Sequence, residues 1–144
     1  HIRTAGDPFE FGSARPLDFG HWAAHRLETL THYGIGHGQA VAIGMAIDAV
    51  QARRRAFIPA SEFNAFIETL CNAHLPIWHS SLEWQAEDGS PAILDGLRQF
   101  REHLGGTLCI TLPCPLGARR EVHDVDPSVI REAIVELRDR SQTP

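Results

Sequence analysis

The chain has 144 residues, of which 43% are hydrophobic and 22% charged, and its formal net charge is −5 at pH 7. This length is sufficient for one domain with its own core, and the composition is typical of a folded, soluble protein. The acidic balance argues against nucleic acid as a partner. No apolar run approaches the roughly 20 residues that span a bilayer, so we expect no membrane partner and a cytoplasmic protein.

The first part of the sequence predicts an arm followed by two helices. Residues 1–14 contain many turn residues and predict an irregular lead-in arm. Asp18 is a suitable N-cap for a first helix over Phe19–Thr31. A second helix is predicted over Gly38–Arg54; because it is apolar on nearly every side, we expect it to be central and buried. Its single internal charge, Asp48, is expected to pair with an arginine or a histidine N–H.

The middle of the chain predicts two further helices. One follows Pro59, with an apolar stripe at helical spacing: Phe63, Phe66, Ile67, Leu70 and Cys71. A short helix is possible over Ser81–Gln85. The next helix is opened by Ser90-Pro91 and ends at Gly105-Gly106.

The last part predicts a strand and a final helix. Period-two alternation over Thr107–Leu112 indicates the one convincing strand, and Asp126-Pro127 opens a helix with an apolar face that includes Ile130 and Leu137. The predicted fold class is therefore mainly α, a bundle of about five helices with a small β element.

The three cysteines are Cys71, Cys109 and Cys114. They are odd in number and lack Cys-x-x-Cys spacing, so we expect buried free thiols rather than disulfides or a zinc-thiolate site.

Three histidines mark the junction of the first two helices. His21 and His25 are four residues apart and share one helix face, while His37 lies between Gly36 and Gly38 at the start of the second helix. Neutral imidazole is the commonest metal ligand, so the cluster suits Zn²⁺ or a similar divalent ion. Each histidine could instead cap a helix or form a hydrogen bond in the core, and a metal would need only two of them.

The stretch from Arg15 to Glu28, with Asp-Phe-Gly-His-Trp-Ala-Ala-His, and the later His37-Gly-Gln-Ala-Val-Ala-Ile-Gly-Met resemble the C-terminal domain of the 3-dehydroquinate synthase family. That family belongs to the sugar-phosphate cyclases. The resemblance implies that residues 15–144 form a helical metal- and substrate-binding domain. It also implies that an N-terminal NAD-binding domain is absent from this chain, and the start at His1 rather than methionine is what we expect of such a fragment.

The resemblance assigns roles to five residues. It implies that His21 and His37 bind the metal, that Arg15 and His25 are catalytic, and that Arg15, Asp18 and His25 contact the substrate. No residue here is expected to bind NAD, because the chain lacks a glycine-rich nucleotide-binding fingerprint. The third metal ligand, a carboxylate in the family, would come from the other domain.

The activity implied by the resemblance is that of a carbon–oxygen lyase. In the family, NAD⁺ transiently oxidises a hydroxyl of a heptulose-type phosphate, phosphate leaves, and the ring closes, with zinc as the Lewis acid. We expect the isolated chain to be inactive. Three departures argue against dehydroquinate formation: Asp18 replaces the usual Asn, Gln39 replaces Glu, and the chain has no lysine. Asp18 and the missing lysine favour a substrate of the sedoheptulose 7-phosphate type over the heptulosonate precursor of dehydroquinate.

Two other functions remain open from the sequence. A related pair of metal-binding histidines occurs in iron- or zinc-dependent alcohol and glycerol dehydrogenases, so a simple oxidoreductase is one alternative. The other is a non-catalytic helical interaction module in which the histidines are structural. Exposed apolar surface left by a missing domain could also favour a homodimer.

Overall fold

The computed structural model describes residues 16–103 and 105–142. The predicted arm at residues 1–14 and the predicted catalytic residue Arg15 therefore lie outside the described residues. Within these ranges the fold contains five α-helices and one antiparallel pair of strands, which confirms the predicted fold class. The helices are α1 (His21–Leu30), α2 (His37–Arg54), α3 (Ala60–Asn72), α4 (Asp95–His103) and α5 (Pro127–Ser141). The strands are β1 (Ile110–Pro113) and β2 (Arg119–Val122), and 3₁₀ turns cover Pro16–Asp18, Ser80–Glu83 and Ala92–Leu94.

Helix α2 lies at the centre of the fold. It packs against α1, α3, α5 and β1, and its residues from Ala46 to Ala52 are all buried. A helix surrounded in this way has no need for a polar face, which explains its apolar run from Ala40 to Ile47. The predicted central position of this helix is confirmed. Its predicted boundaries are confirmed to within one residue.

The crossing of α1 and α2 depends on two glycines. A Cβ added to Gly44 would collide with the carbonyl oxygen of Gly20, and a Cβ added to Gly20 would lie 2.5 Å from the backbone nitrogen of Met45. Gly20 also has φ +80°, a conformation that side-chain-bearing residues rarely adopt. The two backbones therefore meet in direct contact, which holds His21 against the second helix.

The prediction that Asp18 caps the first helix is wrong. Asp18 ends the preceding 3₁₀ turn, and α1 begins at His21 with Gly20 at the N-cap position and no side-chain cap. The N–H of Gly20 instead donates to the Asp48 carboxylate at 2.9 Å. A buried acid from the neighbouring helix thus fixes the start of α1, which spacing along the chain could not reveal.

The two-stranded sheet pairs Ile110 with Val122 and Pro113 with Arg119 in antiparallel register. The predicted strand starts three residues later than expected, at Ile110. The sequence did not indicate β2, because Arg119, Arg120 and Glu121 lack the apolar alternation of a half-buried strand. β1 also packs against the Pro16–Asp18 turn, so the hairpin lies beside the residues that lead into α1.

Helix α4 begins later than predicted, because Ser90-Pro91 leads into the Ala92–Leu94 turn and the α-helix starts at Asp95. Its predicted end is confirmed by Gly105 and Gly106, which have φ +81° and +104°. Their N–H groups donate to the carbonyl oxygens of Glu102 and Arg101 and so satisfy the end of the helix.

Helix α5 begins as predicted. The Asp126 carboxylate accepts a hydrogen bond of 2.8 Å from the N–H of Ser128, and Pro127 occupies the first turn. The predicted apolar face of this helix is buried: Ile130, Ala133, Ile134 and Leu137.

The three thiols are free, as predicted, but the prediction that they are buried is wrong. Cys71, which the sequence predicts in the apolar stripe of α3, is exposed, and Cys109 and Cys114 are partly exposed. The buried face of α3 consists of Phe63, Ile67 and Leu70, with Phe66 packed against Phe19. None of the helices in the described ranges is both long enough and apolar enough to cross a membrane.

Candidate active site

The start of α1 and the start of α2 bring three imidazole rings together. The ring centroid of His21 lies 5.6 Å from that of His25 and 5.5 Å from that of His37, and the remaining pair is 6.3 Å apart. One helical turn separates His21 from His25, while the α1–α2 crossing brings in His37. His25 and His37 are exposed, so the cluster opens to solvent instead of being enclosed by apolar neighbours.

The Nδ1 atoms of His21 and His37 both face acceptors. Nδ1 of His37 lies 3.1 Å from Oε1 of Glu28, and Nδ1 of His21 lies 3.3 Å from the carbonyl oxygen of Phe19. A carbonyl or carboxylate oxygen only accepts, so in each pair the proton belongs on Nδ1. Each ring then keeps the lone pair of Nε2, the atom that a metal ion requires.

A buried carboxylate on α2 accepts hydrogen bonds from the residues on both sides of His21. Asp48 is fully buried and accepts hydrogen bonds from the Gly20 N–H, from Nε1 of Trp22 at 2.8 Å and from Nε2 of Gln51 at 2.8 Å. Burial raises the pKa of Asp48 to about 7, although the three hydrogen bonds act in the opposite direction. Its predicted pairing with an arginine or histidine is wrong, because an indole, an amide and a backbone N–H are its partners. Gly20 and Trp22 flank His21, so Asp48 fixes the backbone that carries the ring.

A cleft of about 200 Å³ lies beside the cluster, lined by Trp22, His25, Gly96, Gln99 and Phe100. Helix α4 approaches α1 closely here, since a Cβ on Gly96 would be 2.7 Å from the carbonyl oxygen of Trp22. Of the three histidines, His25 is the one that lines this cleft.

The remaining predicted substrate residue, Asp18, lies on the 3₁₀ turn next to the hairpin. Burial, a hydrogen bond to Glu121 and the negative charges of Glu121 and Asp18 together raise the pKa of the Cys109 thiol to about 11. The negative charge of Asp18 therefore contributes to the raised pKa of the Cys109 thiol. The same effect keeps Cys109 a neutral thiol near pH 7, which makes it a poor metal ligand or nucleophile.

The donor set of the cluster fits a divalent ion of the zinc type, since imidazole nitrogens are among the ligands that zinc prefers. Among residues 16–103 and 105–142, no three His, Cys, Asp or Glu side chains form a complete metal-binding group. In the part of the chain that the structure describes, the rings of His21 and His37 have Nδ1 beside an oxygen acceptor, whereas catalytic zinc usually has three protein ligands.

Sequence reasoning gave no role to Glu28 and misjudged Asp48. Glu28 lies seven residues after His21 and three after His25, which places it on the same face of α1. That spacing indicates that Glu28 shares a face with the two histidines of α1, but it does not indicate the contact with His37, which lies on α2. Two of the three partners of Asp48, Gly20 and Trp22, lie at the start of α1 across the helix crossing, and no local pattern indicates them.

The chain is similar to known synthases over most of its length. A 2-epi-valiolone synthase of Actinosynnema mirum is 36% identical over 135 residues, which are 92% of this chain and 34% of that protein. A 3-dehydroquinate synthase of Aeropyrum pernix is 35% identical over 134 residues, 93% of this chain and 36% of that protein. The chain thus spans about a third of the length of these relatives.

A solved structure has the same fold. ValA, a 2-epi-5-epi-valiolone synthase of Streptomyces hygroscopicus with NAD⁺ and Zn²⁺ bound, superposes with a TM-score of 0.80 at 27% identity over 94% of this chain and 36% of that chain. Residues 2–95 match the family described as 3-dehydroquinate synthase C-terminal. Because this match covers more than half of the 144 residues, the chain belongs to the 3-dehydroquinate synthase C-terminal family.

Proposed function

We propose that this chain is the metal- and substrate-binding part of an NAD- and metal-dependent cyclase that eliminates phosphate from a heptulose-type phosphate. The observation that carries the proposal is the convergence of His21, His25 and His37, with ring centroids 5.5 to 6.3 Å apart, in a member of this family. The bound NAD⁺ and Zn²⁺ of the structural neighbour support the choice of cofactors.

The proposed metal ligands in this chain are His21 and His37. Both rings have Nδ1 facing an oxygen acceptor, which leaves Nε2 available. The third ligand would come from an N-terminal NAD-binding domain outside this chain, so residues 15–144 alone are proposed to be inactive. When bound, the ion supplies a Lewis acid and NAD⁺ a hydride acceptor.

The other proposed roles concern the substrate. His25 lies one turn from His21 and lines the adjacent cleft, where its ring could move a proton or bind the phosphate that leaves. Arg15 is proposed to bind the anionic end of the substrate, since a guanidinium is a permanent, bidentate donor. Asp18 would contact substrate hydroxyls, and its charge disfavours a carboxylated substrate such as a heptulosonate phosphate.

The test uses the intact protein that contains this chain, with sedoheptulose 7-phosphate, NAD⁺ and Zn²⁺. We expect inorganic phosphate to be released without net formation of NADH, and we expect chelation of the metal to stop the release. His21→Ala and His37→Ala should abolish phosphate release, whereas Glu68→Gln, an exposed change on α3, should not alter it.

Two results would contradict the proposal. Net accumulation of NADH from an alcohol substrate would favour a dehydrogenase. Full activity of the His21→Ala and His37→Ala proteins would show that the imidazoles have only a structural role.

A further inference from the structure

In the contact between Glu28 and His37, Glu28 is the more buried side chain. Its side chain is 16% exposed, while that of His37 is 56% exposed, and Nδ1 of the ring lies 3.1 Å from Oε1 of the carboxylate. A ring with more than half of its surface in solvent is not held in place by packing. The hydrogen bond to Glu28 therefore helps to fix its orientation, together with the contacts to the rings of His21 and His25.

The contact also joins two elements. Glu28 lies near the end of α1 and His37 is the first residue of α2. In the described ranges no arginine forms an ion pair with Glu28, whose ion-pair partner is His37. Within the described ranges, the Glu28 carboxylate therefore pairs with the His37 imidazole and is not part of a surface ion-pair network.

We infer that Glu28 is a positioning residue for metal binding: it holds the His37 proton on Nδ1 and presents Nε2 to a divalent ion. The inference rests on the proposed function, because it assumes that His37 is a ligand. A carboxylate behind a ligating imidazole fixes the tautomer and the ring orientation and raises the basicity of the ligating nitrogen. His21 receives the same orientation from the Phe19 carbonyl oxygen, at 3.3 Å, but a backbone acceptor cannot be removed by substitution.

The variants distinguish the effect of the negative charge of Glu28 from the effect of its side-chain length. Glu28→Ala removes the acceptor, Glu28→Asp retracts the carboxylate by one methylene, and Glu28→Gln keeps an acceptor oxygen in place without the charge. The matched control is Glu68→Ala, which removes an exposed carboxylate from α3. All are made in the intact protein, stripped of metal, and their unfolding temperatures are compared.

Two measurements test the inference without using activity. Competition with a chromophoric chelator gives the Zn²⁺ affinity; we expect Glu28→Ala and Glu28→Asp to weaken it by roughly 10- to 100-fold. Glu28→Gln should lose less, and Glu68→Ala should match wild type. Long-range ¹H–¹⁵N NMR of the metal-free protein should show His37 protonated on Nδ1 in wild type and mixed between the two nitrogens in Glu28→Ala.

The outcomes distinguish this inference from the proposed function. Loss of Zn²⁺ affinity in His37→Ala, with wild-type affinity and tautomer in Glu28→Ala, would overturn the role of Glu28 alone. Unchanged affinity in His37→Ala would overturn the proposed function as well. Should Glu28→Ala fail to fold, Glu28→Asp, which keeps the charge on α1, decides the matter by the same two measurements.

Discussion

The indole N–H of Trp22 donates a hydrogen bond of 2.8 Å to the carboxylate of Asp48, across the crossing of α1 and α2. Both side chains are buried, with exposures of 1% and 0%. This bond and the one from the Gly20 N–H attach the backbone on both sides of His21 to the central helix. The position of a proposed metal ligand is therefore set by a buried polar network.

Removing the Asp48 carboxylate should destabilise the protein strongly. In Asp48→Ala the donors on Gly20, Trp22 and Gln51 lose a buried acceptor, and each unsatisfied donor costs about 1–3 kcal/mol. We expect the free energy of unfolding to fall by at least about 3 kcal/mol in urea titrations. Glu87→Ala, in an exposed loop, should stay within about 0.5 kcal/mol of wild type. A similar small change for Asp48→Ala would show that the network contributes little.

Asp48 should also make stability depend on pH. Its pKa rises from 3.8 to about 7 on folding, so between these values the folded state binds more protons than the unfolded state. Stability should then decrease as pH rises through this window, by up to about 1.4 kcal/mol per pH unit. The measurement is the difference in unfolding free energy between wild type and Asp48→Asn from pH 4 to pH 8, which cancels the other titrating groups. A difference that does not change with pH would refute this prediction.

The glycine contact at the helix crossing can be tested with two substitutions in one helix. Gly44→Ala places a methyl group against the Gly20 carbonyl oxygen, so we expect it to destabilise the fold by about 2 kcal/mol. Gly38→Ala meets no atom within 4 Å, so it should be neutral or stabilising by up to about 1 kcal/mol. Chemical denaturation measures both. If Gly44→Ala were as well tolerated as Gly38→Ala, the backbones would not be in the close contact described.

One ion pair between α2 and α5 should matter more than its neighbour. Arg53 makes two hydrogen bonds to Glu136, of 2.9 and 2.6 Å, and its guanidinium lies 4.2 Å from the centre of the Phe63 ring. Burial raises the pKa of Glu136, but the hydrogen bonds and charge of Arg53, together with Arg140, outweigh burial and hold the pKa below 4.5. Glu136→Gln should therefore cost about 1 kcal/mol near pH 7.

The control for this pair is Glu132→Gln, which breaks the half-exposed Arg54–Glu132 ion pair and should cost less than about 0.5 kcal/mol. Because the pKa of Glu136 is lowered by folding, its contribution is present above pH 4.5 and is lost as the pH falls below that value. The stability difference between wild type and Glu136→Gln should thus disappear in acid. Equal effects of the two substitutions at neutral pH would contradict the prediction.

Local pattern was a good guide to elements that are specified by their own residues. The apolar run of α2, the Asp126-Pro127 start of α5 and the Gly105-Gly106 end of α4 were all predicted, because periodicity, caps and left-handed glycines act within a few residues. The errors fall where distant groups compete. Asp18 has the residue type and position of a helix cap. The N–H of Gly20, two residues later, donates instead to Asp48 from another helix.

The sequence by itself determined the fold class, the family and the histidines that are candidates for the site, because the motif residues and the helical periodicity are written along the chain. Only the tertiary structure decided that the three rings meet, that Glu28 and Phe19 orient two of them, and that Asp48 holds the start of α1. The physical reason is that the contacts of Glu28 and Asp48 cross the α1–α2 interface, while that of Phe19 depends on the local backbone at the start of α1. Their geometry depends on two glycines that let the helices touch, and spacing along the chain does not encode that distance.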